Sequence, residues 1–316
     1  MEIIDSHAHY DSRMLELPAL VQQMDRHGID RVALIPCMND PLPHTPERLL
    51  SALRHIMARR LTRPLAEVVH RALLTPEGDL RLDGRVYQIY QRPDNAAVES
   101  ALRAYPQRLL GWIFLNPRNN PKVLDELEQY RAVPGMIGVK LHPHWHDYRT
   151  ELLRPIMQRL AELKLPALIH LGFGRRGDFR ALATSYPQVP LICAHAGFPF
   201  YRDLWVHGRA LPNLYVDLSS PYIDEALARA AVATLGPERC LYGTDAPYGF
   251  PEPGPGLGSS ADHVQGKDAT SAAAHASYDY GQIKGWIERL PISSAARAAI
   301  FGDNLRALLT PAQVHL

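Results

Sequence analysis

His7 and His9 end an apolar, strand-like segment, IIDSHAHY. Side chains two apart on an extended chain point the same way, so both imidazoles can approach one metal ion. Two further histidines sit inside apolar runs, His170 in LIHLG and His195 in CAHAG, and Asp245 closes LYGTD. A single such histidine is commonly a hydrogen-bonded core residue. A carboxylate buried without a cation or donors is costly. Five residues of these types at the ends of successive apolar runs read better as one ligand set. Nitrogen and oxygen ligands suit Zn²⁺ first, with Mn²⁺, Fe²⁺ or Ni²⁺ also compatible.

Positioning them is the task of the surrounding elements. Short apolar runs alternate with helical periodicity, the pattern of repeated βα units around a parallel sheet. Eight strands are expected, at residues 3–10, 31–37, 109–115, 135–142, 166–172, 190–197, 213–220 and 239–247. Eight strands with their crossovers close a (β/α)8 barrel, and the 316 residues suit a single such domain carrying insertions. Residues 39–93 contain the amphipathic runs PERLLSALRHIMARRL and PLAEVVHRALL, expected as a helical cap. Residues 249–277, rich in Gly, Pro, Ser and Ala, are expected as a lid loop after the last strand. Barrel active sites are built from loops at the strand C-termini, so both insertions should lie there.

Composition narrows the function class. Lys plus Arg number 34 against 33 Asp plus Glu, leaving no basic excess for nucleic acid or an anionic membrane. No apolar run is long enough to span a bilayer, and MEIIDSHAHY lacks the basic-then-apolar start of a signal peptide, so a soluble cytoplasmic protein is expected. Cys37, Cys193 and Cys240 are far apart in apolar runs and read as buried thiols in a reducing compartment. The partner is expected to be a small-molecule substrate; the sequence does not choose between monomer and homo-oligomer.

The chain resembles the amidohydrolase superfamily, specifically its amidohydrolase-related branch of (β/α)8, or TIM-barrel, metal-dependent hydrolases and nonoxidative decarboxylases. The resemblance runs nearly end to end through IDSHAHY, GVKLHPHW, ALIHLG, ICAHAG, LYVDLSS, LYGTDAPYG and IFGDNLRALL. It implies that His7 and His9 ligate the more buried metal, that Asp245 binds it and handles a water's proton, and that His170 is a further ligand. His195 then either ligates a second metal or acts as acid, base or electrophile. In two-metal members a strand-4 lysine carries CO₂ as a bridging carbamate, and Lys140 in GVKLH resembles that lysine. The alternative is an ordinary ammonium that binds a substrate carboxylate. No glutamate lies near GMIGVKLH, which counts against the nuclease branch.

Substrate-binding residues are sought in the loops. His142 shares the parity of Lys140, and Trp145 follows in HPHW. Arg118 and Arg175, with Arg176 and Arg202 nearby, lie among Phe173, Phe198, Phe200, Tyr222 and Tyr248, a lining that suits an anionic substrate with an apolar part. The expected reaction is hydrolysis of an amide, ester or lactone by metal-activated water, with Asp245 and His195 catalytic. The alternative is decarboxylation of an aromatic or unsaturated acid at one metal; a catalytically silent binding subunit is the remote third reading.

Overall fold

The computed structural model describes residues 1–43, 47–82, 84–248 and 280–309. The expected lid, 249–277, lies outside the described residues. In chain order the strands are β1 (Ile4–Tyr10), β2 (Arg31–Pro36), β3 (Leu80–Leu82), β4 (Arg85–Tyr87), β5 (Leu109–Phe114), β6 (Met136–Leu141), β7 (Ala167–Ile169), β8 (Leu191–Cys193), β9 (Leu214–Asp217) and β10 (Cys240–Leu241). Eight of them pair in the order β1-β2-β5-β6-β7-β8-β9-β10, all parallel. The ends meet: Ser6 N donates to the Tyr242 carbonyl at 3.0 Å, Asp245 N to that of His7 at 2.7 Å, and His9 N to that of Ala246 at 2.6 Å. This is the (β/α)8 barrel.

Strand parity divides the core. On β5, Leu110, Trp112 and Phe114 join Ile4, Ile35, Leu168, Ile192 and Leu241 inside the barrel, whereas Leu109 and Ile113 face the helical layer. Both faces are covered, which explains why these strands read as continuous apolar runs. Trp112 fits because β6 carries Gly138 opposite it: a Cβ there would lie 2.7 Å from the indole and 2.5 Å from the Pro166 carbonyl oxygen. The α-helices before β8 are α1 (Leu17–His27), α2 (Glu47–Ala58), α3 (Arg63–Ala72), α4 (Asn95–Ala104), α5 (Val123–Arg131), α6 (Arg154–Leu163) and α7 (Phe179–Ser185). Helix α1 buries Leu20 and Met24 one turn apart and stops at Gly28, which takes the left-handed conformation (φ 64°) that a helix C-cap favours. Helix α4 starts where the Asp94 carboxylate accepts from the Ala96 and Ala97 amides.

Two features depart from the sequence expectation. The segment expected as helical over 39–93 holds α2 and α3 but also the antiparallel hairpin β3–β4, turned at Gly84 (φ 75°). It lies against loops that follow barrel strands: Arg54 donates to the Pro221 carbonyl, Arg63 pairs with Asp203, and Glu67 pairs with Arg176. Strands β7, β8 and β10 also end earlier than expected. His195 (φ 54°) and Ala196 (φ 52°) are left-handed, which ends the β8 ladder, and Asp245 (φ 58°) is left-handed between β10 and the single parallel bridge Ala8–Ala246. His195 and Asp245 therefore sit past their strands rather than on them, and His170 directly follows β7.

Candidate metal centre

Of the sequence-expected ligands, His7, His9, Lys140 and Asp245 converge at the barrel mouth. His7 and His9 flank Ala8, which faces the helical layer, so both rings turn inward. Oδ1 of Asp245 lies 3.1 Å from His7 Nε2 and 3.3 Å from His9 Nε2. These three side chains form one group whose ligand atoms fit a single ion. Lys140, fully buried on the inward face of β6, brings Nζ to 3.1 Å from His7 Nε2.

Hydrogen bonds fix the ring tautomers. His170 Nδ1 donates to the Leu171 carbonyl at 3.2 Å, so Nε2 carries the lone pair, and that atom is buried with no partner. An orphaned imidazole nitrogen beside two histidines and a carboxylate is the donor chemistry of a Zn²⁺-type site. His195 Nδ1 faces Ser219, 2.9 Å from Oγ and 3.2 Å from the carbonyl oxygen, and the Ser219 hydroxyl itself donates to Asp217 Oδ1. His195 is thus the donor to Ser219, and its Nε2 carries the lone pair. The rings of His195 and His170 are 4.8 Å apart, those of His195 and His7 5.1 Å. His142 stacks on His170 at 4.3 Å, and its Nδ1 accepts from the Trp145 amide at 3.1 Å.

Charge follows burial. In the metal-free protein burial lowers the Lys140 ammonium to about 8 against the pull of Asp245 and Asp217. Burial likewise lowers His9 and His195 to about 4, so both are neutral near pH 7. For Asp245, burial pushes the carboxyl up, but His195 and His7 outweigh it and hold it well below the usual range. His7 behaves oppositely: burial and Lys140 push it down, Asp217 and Asp245 prevail, and it ends raised. Its Nδ1 lies 2.9 Å from Asp217 Oδ2.

Asp217 and Ser219 did not emerge from the sequence reading as site residues, nor did Asp5. Asp5 accepts from the Thr244 hydroxyl at 2.6 Å and from the His7 amide at 3.0 Å, and burial raises its carboxyl to about 7. The available signal was a carboxylate inside an apolar run, LYVDL and IIDSH, the same signal that marked Asp245.

The loop arginines are placed otherwise than expected. Arg118 is exposed and donates to the His146 carbonyl at 3.2 Å, bracing the loop after β6. Arg175 is not brought to the histidines: its exposed side chain pairs with Glu151 through Nε at 3.0 Å and lines a separate open cleft of about 460 Å³ with Arg63, Phe179 and Phe200. The carboxylate nearby makes this the cheaper location for a charge than the apolar mouth. Arg176 is the buried member, paired with Asp147 at 2.7 Å and Glu67 at 3.3 Å.

An eight-stranded parallel barrel with histidine and carboxylate ligands past its strand ends defines a metal-dependent barrel of the amidohydrolase type. The amidohydrolase family model matches residues 4–310, and the chain belongs to that family. Among solved structures it is similar to a 2,6-dihydroxybenzoate decarboxylase from Rhizobium, at 16% identity and TM-score 0.54 over 98% of both chains. It is also similar to a putative 2-pyrone-4,6-dicarboxylic acid hydrolase from Pseudomonas putida, at 20% identity and TM-score 0.50 over 97% of both. These likenesses report the fold. Protein fluG of Emericella nidulans is 24% identical over 102 residues, which cover 28% of this chain and 12% of that protein.

Proposed function

We propose that this chain is a hydrolase that opens an amide, ester or lactone bond in a small anionic substrate with the help of bound divalent metal, zinc before manganese, iron or nickel. The observation that carries it is Lys140, fully buried with Nζ 3.1 Å from His7 Nε2 in the middle of the ligand set. An ammonium there would repel a cation; a lowered pKa frees the amine, which can take up CO₂ as a carbamate, release a proton and become an anionic ligand. His7, His9 and Asp245 would hold one ion, and Lys140 with His170 and His195 a second. Bound metal lowers the pKa of a water to about 7 and polarises a carbonyl.

The chain's own groups supply the rest. Asp245 is ionised, so it can accept a proton and return it to the leaving group. Asp217 holds the Nδ1 proton of His7, which leaves Nε2 as a lone pair. His195 presents a lone pair on Nε2, suited to act as ligand or proton acceptor. It can donate to a developing oxyanion only after taking up a proton. Helices α2 and α3 serve as a cap in this reading.

The second reading is nonoxidative decarboxylation at one metal. It is favoured by the second grouping of ligand-type atoms, His7, His195 and Asp217. His7 Nδ1 is already bonded to Asp217, so that pair supports one ion rather than forming a second site. Metal analysis of the purified protein, joined to a screen of amides, lactones and aromatic carboxylates, separates the two. Two ions with hydrolysis support the first reading; one ion with CO₂ release supports the second.

A further inference from the structure

The row of imidazoles continues beyond the ligand set. His70, on α3 in the insertion, packs against His144 with ring centroids 4.1 Å apart, and His144 stacks on His170 at 5.1 Å. His144 is 2% exposed. Both ring nitrogens of His70 and Nδ1 of His144 are buried and make no hydrogen bond. Polar atoms in that state are rare because each has given up water for nothing, so a missing partner is the economical explanation. Among the described residues, neither set of converging ligand atoms includes His70 or His144.

We propose that His70 and His144 form a hydrogen-bonding subsite that receives a hydroxyl group on a planar ring substrate, at the end remote from the metal centre. Two observations select this chemistry. Both imidazoles lie among aromatic rings with nitrogens that no protein group pairs, surroundings that favour the neutral form. A neutral imidazole offers one N–H and one lone pair, which matches a hydroxyl that both donates and accepts, whereas a carboxylate would face that lone pair with its own. The rings packed around the pair are flat and largely apolar. Trp145 stands edge-on to His70 and His144 at 5.9 and 5.8 Å, Phe173 lies 6.0 and 5.6 Å from them, and Phe198 stands edge-on to His144 at 5.6 Å. The insertion is thereby a specificity element, since it supplies His70.

The subsite rests on the reading of the mouth as a metal centre that takes the acidic or acyl end of the substrate. The test is calorimetric titration of zinc-loaded protein with benzoate, the three monohydroxybenzoates and their methoxy analogues. In the wild type, at least one hydroxybenzoate should bind about tenfold more tightly than benzoate and than its methoxy counterpart, the return on one or two neutral hydrogen bonds. In His70→Phe and His144→Phe, which keep the aromatic packing, that preference should shrink to about twofold or less, with zinc content unchanged. If His144→Phe loses its folded circular dichroism spectrum, the His70 variant on the less buried partner decides. Binding without a hydroxyl preference, or a preference that survives His70→Phe, overturns the subsite alone. If no benzoate binds the zinc-loaded wild type, the parent reading fails and the subsite with it.

Discussion

Oδ2 of Asp217 lies 2.9 Å from Nδ1 of His7, with both side chains fully buried. A carboxylate there fixes the proton on Nδ1 and leaves Nε2 as a lone pair toward Asp245 and Lys140. In Asp217→Asn the amide can offer an N–H instead, which reverses the tautomer and turns an N–H toward the ion. Zinc affinity, measured by competition with a chromogenic chelator, should fall about 10- to 100-fold. Unchanged affinity would remove Asp217 from the support of the metal.

His7→Ala removes one of the three converging ligands and should cost metal and activity together. Asp245→Asn keeps the shape but cannot accept a proton as a carboxylate does. Its turnover should drop about 10²- to 10⁴-fold. A much smaller loss at unchanged metal occupancy would mean that another group moves the proton.

Lys140→Ala tests the carbamate. The bound metal, read by elemental analysis, should fall from two ions toward one, and added formate or acetate should partly restore activity by supplying an oxygen ligand. One ion in both wild type and variant, with aromatic carboxylates releasing CO₂, would favour the decarboxylase instead.

Acid should destabilise the metal-free protein early. His9, His70, His146 and His195 are lowered from 6.5 to about 4, and His142, His144 and His170 well below 6.5, all by burial first. A folded-state pKa below the unfolded one means that the unfolded chain binds more protons, so the stability is full above pH 6.5 and declines as pH falls toward 4. Each histidine contributes about 1.4 kcal/mol per pH unit in that window. Asp5, raised to about 7, and the raised His7 act in the opposite direction but are outnumbered. The urea midpoint should therefore drop steeply between pH 6.5 and 5 and change little from 7 to 8. A flat profile down to pH 5 would show that these rings are solvated.

The barrel and its family were legible in the sequence because both are local in origin. Eight apolar runs such as VALIP and GMIGVKL are buried on both faces, and period alone reveals that. Ligand types at run ends, His7, His9 and Asp245, were legible for the same reason: a polar residue inside such a run is conspicuous. What tertiary structure decided was pairing. Nothing local tells that Asp217 faces His7 across 210 positions, that Ser219 orders His195, or that α3 carries His70 to within 4.1 Å of His144. It also separated Arg175 from Arg176. Both belong to one GRRG turn, yet Glu151 holds the first at the surface while Glu67 and Asp147 draw the second inward, because an arginine settles where a carboxylate offsets its desolvation. Spacing along the chain sets which groups can share a face; only closure of the barrel and the fold of the insertion set which nitrogen meets which oxygen.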